Sequence, residues 1–514
     1  MKGNRATYSL EDFEADGGPI SSDEDERGTE GGAVVQAGRW GFDVFDGLLF
    51  NFAAPVCIPY LLGVDPNAEL DQSTREAITF WTASLTSLLL VGWAIGGILF
   101  GKLTDTFGRS RIMLITMATY ALSTGASALS PNIWVLGLCR FCASLGIGGE
   151  WAAGAALVAE TMPPHRRLWG GAILYTSAPV GLFLASFVSS LFLNEVSFIA
   201  DDPSLSWRVV FLTGLIPVVF AIIIRIWLKE PDTWKTTREN KAMSYGVVER
   251  DYDEQPPPEK LGRYRRRTLG GLFVVIIALL TWWTITSFIP LIANFLAEDV
   301  GKASGLSRVE IQGLKSEYTF IGSNSFNAGG LVGTLTTVPL AQYLGRRPMF
   351  AIYFAWSAVA IPCVLYLAMS ALLRLSLLFI VGFSVFGVFA SFTFYLPELF
   401  PTRLRALGSG FCYNSGRVVT AVGPFLVGIV GRDGYDPLYI ITWVAVLPAI
   451  GFVGTLLRLP LETKGTVLIE EEVERVDENL YLLHKEAASY STATSPSASR
   501  YHNAHDEGMD IFLK

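Results

Sequence analysis

Charge is what this sequence has least of. Only 17% of its 514 residues are Asp, Glu, Lys or Arg, while 51% are hydrophobic. A soluble protein carries about a quarter charged residues, so a water-facing globule is excluded. Histidine is also scarce. The four that occur (His165, His484, His502, His505) stand apart in polar segments. Without a His/Cys grouping at ligand spacing, no metal site and no cofactor are expected. The five cysteines (Cys57, Cys139, Cys142, Cys363, Cys412) all fall inside apolar runs and read as packing residues, not disulfides. There is no G-x-x-x-x-G-K-[ST] loop, which removes support for ATP-driven pumping. No nucleophile–base arrangement stands in a plausible place, so the chain reads as a non-enzyme. The N-terminal stretch is acidic and lacks the apolar core of a signal peptide. Much of the net charge of −8 lies in the two tails, and no nucleic-acid partner is expected.

What is present in quantity is long apolar runs. Counting runs of about 19–25 residues predicts twelve membrane spans: 40–62, 77–100, 111–130, 132–161, 168–193, 207–228, 268–296, 318–341, 348–370, 374–399, 406–430 and 436–458. Five segments follow. Residues 1–39 read as a disordered cytoplasmic tail and 40–228 as a six-helix bundle. Residues 229–267 form a cytoplasmic linker with Pro256–Pro258, 268–465 a second bundle and 466–514 a cytoplasmic tail. Lys and Arg crowd the loops on the side of both termini, about nineteen against about seven, which places both ends in the cytoplasm. The membrane expected is the plasma (inner) membrane. The partners expected are membrane lipid, a small-molecule solute and protons, with the monomer as the working unit.

The halves repeat one another. Glu160-x-x-Pro163-x-x-x-Arg167-x-x-Gly170 follows the fourth span. Glu398-x-x-Pro401-x-x-x-Arg405-x-x-Gly408 follows the tenth at the same spacing. Gly108-Arg109 and Gly345-Arg346 match at nearly the same offset. Parallel repeats of this kind mark transporters with a central site between halves.

The loop Gly101-Lys-Leu103-Thr-Asp105-Thr-Phe-Gly108-Arg109-Ser-Arg111 resembles the G-x-L-x-D-x-x-G-R-[KR] signature of the major facilitator superfamily. The second-half counterpart replaces the first Gly by Val338 and the Asp by Gln342. Pro-Glu-Leu-Phe-Pro-Thr-Arg (397–403) and Leu-Glu-Thr-Lys-Gly (461–465) resemble its motifs after spans ten and twelve. The resemblance implies an all-α polytopic membrane protein, twelve transmembrane helices in two pseudo-symmetric six-helix bundles. Asp43-x-x-Asp46, Gly-Ile-Gly-Gly-Glu-Trp (146–151) and Tyr413-Asn414-Ser-Gly-Arg417 are similar to the proton-coupled metabolite, sialate and aromatic-acid symporters.

Charges inside the spans are costly and mark function. Shifted by about 238 residues, Asp43 and Asp46 fall on Thr281 and Thr284, Arg140 on Leu378 and Glu150 on Val388. The charges are therefore additions to a repeated scaffold. Arg140 and Arg417 approach the midplane from opposite halves, and Tyr413 and Asn414 share the face of Arg417. These four, with Asn324 and Asn327, are the expected substrate-binding residues, because a guanidinium grips a carboxylate through two parallel hydrogen bonds. Asp46, Glu150 and Asp43 are the expected proton-coupling groups. Asp105, Arg109, Glu160, Arg167, Arg346, Glu398 and Arg405 lie at inner ends of spans and read as a cytoplasmic gate. The function expected is proton-coupled uptake of a small organic anion. A sugar or polyol carrier of the same fold and a non-transporting receptor are the alternatives.

Overall fold

In a computed structural model the protein is helical, and residues 22–64, 71–107, 109–161, 167–196, 199, 202–216, 261–432 and 437–464 are described. The end of the sixth expected span, most of the expected linker and the C-terminal tail lie outside them. The first half comprises α1 (Ser22–Leu61), α2 (Gln72–Phe107), α3 (Arg109–Ser127), α4 (Ile133–Thr161), α5 (Arg167–Ser190) and α6 (Pro203–Thr213). The second half opens with α7 (Arg265–Thr286), α8 (Ile289–Ala303), α9 (Arg308–Tyr343), α10 (Arg346–Tyr366) and α11 (Ala371–Ala390). It continues through α12 (Phe392–Glu398), α13 (Thr402–Thr420), α14 (Val422–Arg432), α15 (Pro437–Thr442) and α16 (Val446–Leu456).

Helix α1 begins at Ser22, ahead of the expected boundary at 40, with Asp23, Glu24, Asp25 and Glu26 in its first turns. Seven stretches of the described residues are long and apolar enough to cross a membrane, Trp40–Leu61 and Gly262–Ala303 among them. Helices such as α9 and α13 fall short by composition because Asn, Ser, Thr, Gly and charge dilute their apolar residues.

Two devices shape the interior. The first is close backbone approach at glycine. A Cβ on Gly96 of α2 would strike the Leu145 carbonyl of α4, and one on Gly333 of α9 would strike the Phe383 carbonyl of α11. Both members of the contact recur about 237 residues further on, so the repeat seen in the sequence extends to packing. Such contacts replace the hydrophobic drive that helices lose in lipid. The second device is the broken helix. The seventh expected span divides at Ser287 and Phe288, ahead of Pro290, whose missing N–H cannot serve the helix. Breaks also fall at Ser391, between α11 and α12, and at Ala421, ahead of Pro424. Ser287, Phe288 and Ser391 are buried, as irregular backbone at membrane depth must be. The halves meet where α2 packs on α13 and α14, and where α5 packs on α9.

Candidate functional site

Arg417 lies on α13 with 2% of its surface exposed. Its guanidinium carbon sits 4.7 Å from the Trp93 ring centre and 4.5 Å from that of Tyr413. Nη1 donates to Asn414 Oδ1 at 3.3 Å. Trp93 belongs to α2, so the cation of one half rests on a ring of the other. The enclosure continues in rings. Trp93 meets Trp40 at 6.4 Å and Trp283 at 5.4 Å, and Trp283 meets Trp282 at 4.9 Å. Tyr175 Oη and Tyr413 Oη share a 3.0 Å hydrogen bond that joins the halves. Asp43 is the carboxylate whose charge acts on Arg417. The indole N–H groups of Trp40, Trp93 and Trp282 are buried and have no acceptor among the described residues. A buried donor without an acceptor is costly, roughly 1–3 kcal/mol.

Arg140 on α4 is fully buried in different company. Nε donates to Ser127 Oγ at 3.1 Å, and Nη2 donates to Thr124 Oγ1. The Thr124 hydroxyl in turn donates to Asp46 Oδ2 at 2.6 Å. The Phe211 ring lies 5.0 Å from the guanidinium. A buried arginine, a hydroxyl and a buried carboxylate thus form one chain within the first half. Asp46, three residues after Asp43 on α1, is the carboxylate of this chain. The contacts named for Arg140 and those named for Arg417 share no residue.

Asn327 lines a third place. A small cavity lies between Asn51 and Phe52 of α1, Leu182 of α5, Thr286 of α7, Ile289 and Pro290 at the start of α8, and Ser323, Phe326 and Asn327 of α9. Asn324, one residue outside that lining, is half-buried.

Of the expected gate, the structure brings Arg346 and Glu398 together. Arg346 Nε donates to Glu398 Oε2 at 3.0 Å and Nη2 to Oε1 at 2.6 Å. Thr463 Oγ1 adds a 2.5 Å hydrogen bond to Glu398. Glu462 accepts the backbone N–H groups of Arg346 and Arg347, both at 2.9 Å, and so caps α10 beside Gly345, whose φ of 102° suits glycine. Burial pushes the Glu462 carboxyl up, but these N–H donors and the Arg346 charge outweigh it and hold it below the usual carboxylate range. Arg405 is half-buried on α13 and engaged. Asp105, Arg109, Glu150, Glu160 and Arg167 stand on helices α2 to α5, and their side chains lie outside the described residues.

One group was missed by sequence reasoning. Arg75, in the first turn of α2, reaches across to Asp299 at 2.9 Å and Glu298 at 3.7 Å on α8. Lys302 and Lys315 each hold Glu298 at 3.0 Å. This cluster pins the halves at the end opposite Arg346. The signal for it was slight, an Arg and an acidic pair among loop charges more than two hundred residues apart. Glu462 and Thr463 sat inside a motif already noted, but their partners were not legible there.

The family follows. The chain belongs to the major facilitator superfamily, whose model matches residues 42–424. It is therefore a multi-pass membrane transporter of a small-molecule solute and not an enzyme. It is 27% identical to the cis,cis-muconate transport protein of Acinetobacter baylyi over 76% of this chain and 86% of that one. It is 25% identical to the sialic acid transporter NanX of Escherichia coli, over 76% and 85%. Identity to the niacin transporter NiaP of A. baylyi is 24%, over 84% and 93%. Among solved structures, the xylose transporter XylE of E. coli, in a partially occluded inward-open conformation, superposes with a TM-score of 0.62 at 16% identity, over 85% and 99%. That likeness concerns the fold.

Proposed function

We propose that the chain carries a small planar organic acid together with protons by alternating access. The observation that carries this reading is Arg417 held between aromatic rings from both halves. A guanidinium offers a carboxylate two parallel hydrogen bonds, and the rings offer flat apolar walls to a conjugated body. Muconate and niacin, named for two relatives, are planar and unsaturated, which supports the same class. Tyr413 and Asn414 hold the arginine in place, while Asn327 and Asn324 serve the far side of the path.

The Arg140–Thr124–Asp46 chain is the proton-coupling element in this reading, with Asp43 and Glu150 as further members. Loss of water and a facing cation act in opposite senses on a buried carboxyl. A helix movement that changes either one takes up or releases a proton. Asp43 links that step to the solute, because its partner Arg417 is the cation the carboxylate would claim. Both termini are cytoplasmic in this scheme, in the plasma membrane, and the monomer is sufficient. The Arg75 cluster is then the outer gate. Arg346, Glu398 and Arg405, with Asp105, Arg109, Glu160 and Arg167, form the inner one, each parting when its side opens.

One observation favours a second reading. The cavity beside Asn51 and Asn327 carries no charge, which suits a sugar or polyol. Uptake into proteoliposomes with an imposed inward proton gradient separates the two. Gradient-driven uptake of nicotinate, lost in Arg417→Ala, supports the acid carrier. Uptake of D-xylose that is indifferent to Arg417→Ala supports the sugar carrier and rejects the first reading.

A further inference from the structure

The cavity at Asn51 holds a set of unused polar atoms. Asn51 Nδ2, Asn327 Nδ2, Ser323 Oγ and Thr286 Oγ1 are all buried and lack a hydrogen-bond partner among the described residues. They come from three helices, α1, α7 and α9, and from both halves. Phe52 and Phe326 close the cavity with apolar surface. Four orphaned groups on one small cavity are not a packing accident that a fold tolerates cheaply, since each costs roughly 1–3 kcal/mol. Two are amide nitrogens, which donate only. No lining residue is charged, so the group they suit is a neutral acceptor and not a second carboxylate.

A chain of contacts and sequence neighbours links the cavity to Arg417. Trp283 contacts Trp93, on which Arg417 rests, and Thr286 follows one turn later, about 4.5 Å along α7. On α1, Asn51 stands eight residues beyond Asp43, about 12 Å along the helix.

We infer that Asn51, Thr286, Ser323 and Asn327 form a second recognition point for an uncharged hydrogen-bond acceptor. The solutes preferred are then acids carrying a carbonyl, hydroxyl or ring nitrogen at the end remote from the carboxylate. This rests on the reading of Arg417 as the carboxylate anchor. It adds the feature that discriminates among acids. A site built to hydrogen-bond a group rejects the analogue lacking it more strongly than an apolar pocket rejects an added methyl.

The test compares 4-acetylbenzoate with 4-isopropylbenzoate, which differ in shape by little and in acceptor capacity by one carbonyl. Dissociation constants are measured on the full chain in nanodiscs by quenching of tryptophan fluorescence. The expected result is at least about ten-fold tighter binding of the acetyl acid, falling to near parity in Asn327→Leu and Asn51→Leu. Thr286→Val and Ser323→Ala trim only hydroxyls and should narrow the ratio if either leucine variant fails to fold. Equal binding of both acids, lost in Arg417→Ala, would overturn the second recognition point and leave the anchor standing. A preference that survives all four substitutions would do the same. Binding of neither acid would overturn both.

Discussion

Arg75→Ala removes both ion pairs that Arg75 makes from α2 to α8, and its effect can be worked from the structure. Arg75 is 19% exposed and Asp299 is 61% exposed, so their 2.9 Å contact is a screened pair worth about 0.5 kcal/mol. The contact with Glu298 is longer, at 3.7 Å, but Glu298 is only 5% exposed and fixed by two lysines, which raises it to about 1 kcal/mol. The guanidinium lies 4.9 Å from the Phe295 ring, adding about 0.5 kcal/mol. These ties exist only while the halves are together at this end. Their loss, about 2 kcal/mol, shifts the balance toward the state open at this end by about thirty-fold. Lys302 and Lys315 belong to the same half as Glu298, so Lys302→Ala should shift it far less. The assay is the distance distribution between spin labels on the first turn of α2 and the last turn of α8. A longer-distance population should grow in Arg75→Ala, and partly at 1 M salt in the wild type. A distribution unchanged by the substitution would refute the idea that this cluster latches the transporter.

Two other perturbations probe the inner gate and the proton path. Glu462 is held below the usual carboxylate range in the fold, so its stabilising effect is full above about pH 4.5 and is lost as pH falls through its lowered folded value. Glu462→Gln should therefore lower stability by about 0.5–1 kcal/mol at neutral pH, and the gap should close on acidification; melting curves across pH 3–7 read this directly. Thr124→Val keeps shape but removes the hydroxyl between Arg140 and Asp46. Uphill accumulation should fall at least ten-fold while exchange of pre-loaded solute continues; an unchanged accumulation ratio would place the proton path elsewhere.

Much of the architecture could be read from the chain because it is written in short-range terms. Apolar run lengths follow bilayer thickness, and motif spacing exposes the repeat. Tyr413 and Asn414 beside Arg417 follow from helical period alone. What escaped is long-range. Nothing in the sequence pairs Arg140 with Asp46, because the link passes through Thr124, one threonine among many. The reading that set Arg140 beside Arg417 gave equal weight to two guanidiniums whose surroundings differ. Arg75 and Glu298 looked like ordinary loop charges, since surface charge has no periodicity to betray a partner. The divided helices around Ser287, Ser391 and Ala421 were equally hidden, because hydropathy runs through a break that buried backbone can satisfy.

The central claim is that an acid held by Arg417 enters with protons. It is tested most directly by recording internal pH in proteoliposomes when nicotinate is added outside, with no other gradient imposed. The account predicts internal acidification that saturates with nicotinate, exceeds that of protein-free vesicles and vanishes in Arg417→Ala. Nicotinate entry without acidification beyond that of protein-free vesicles, or acidification undiminished in Arg417→Ala, would contradict it.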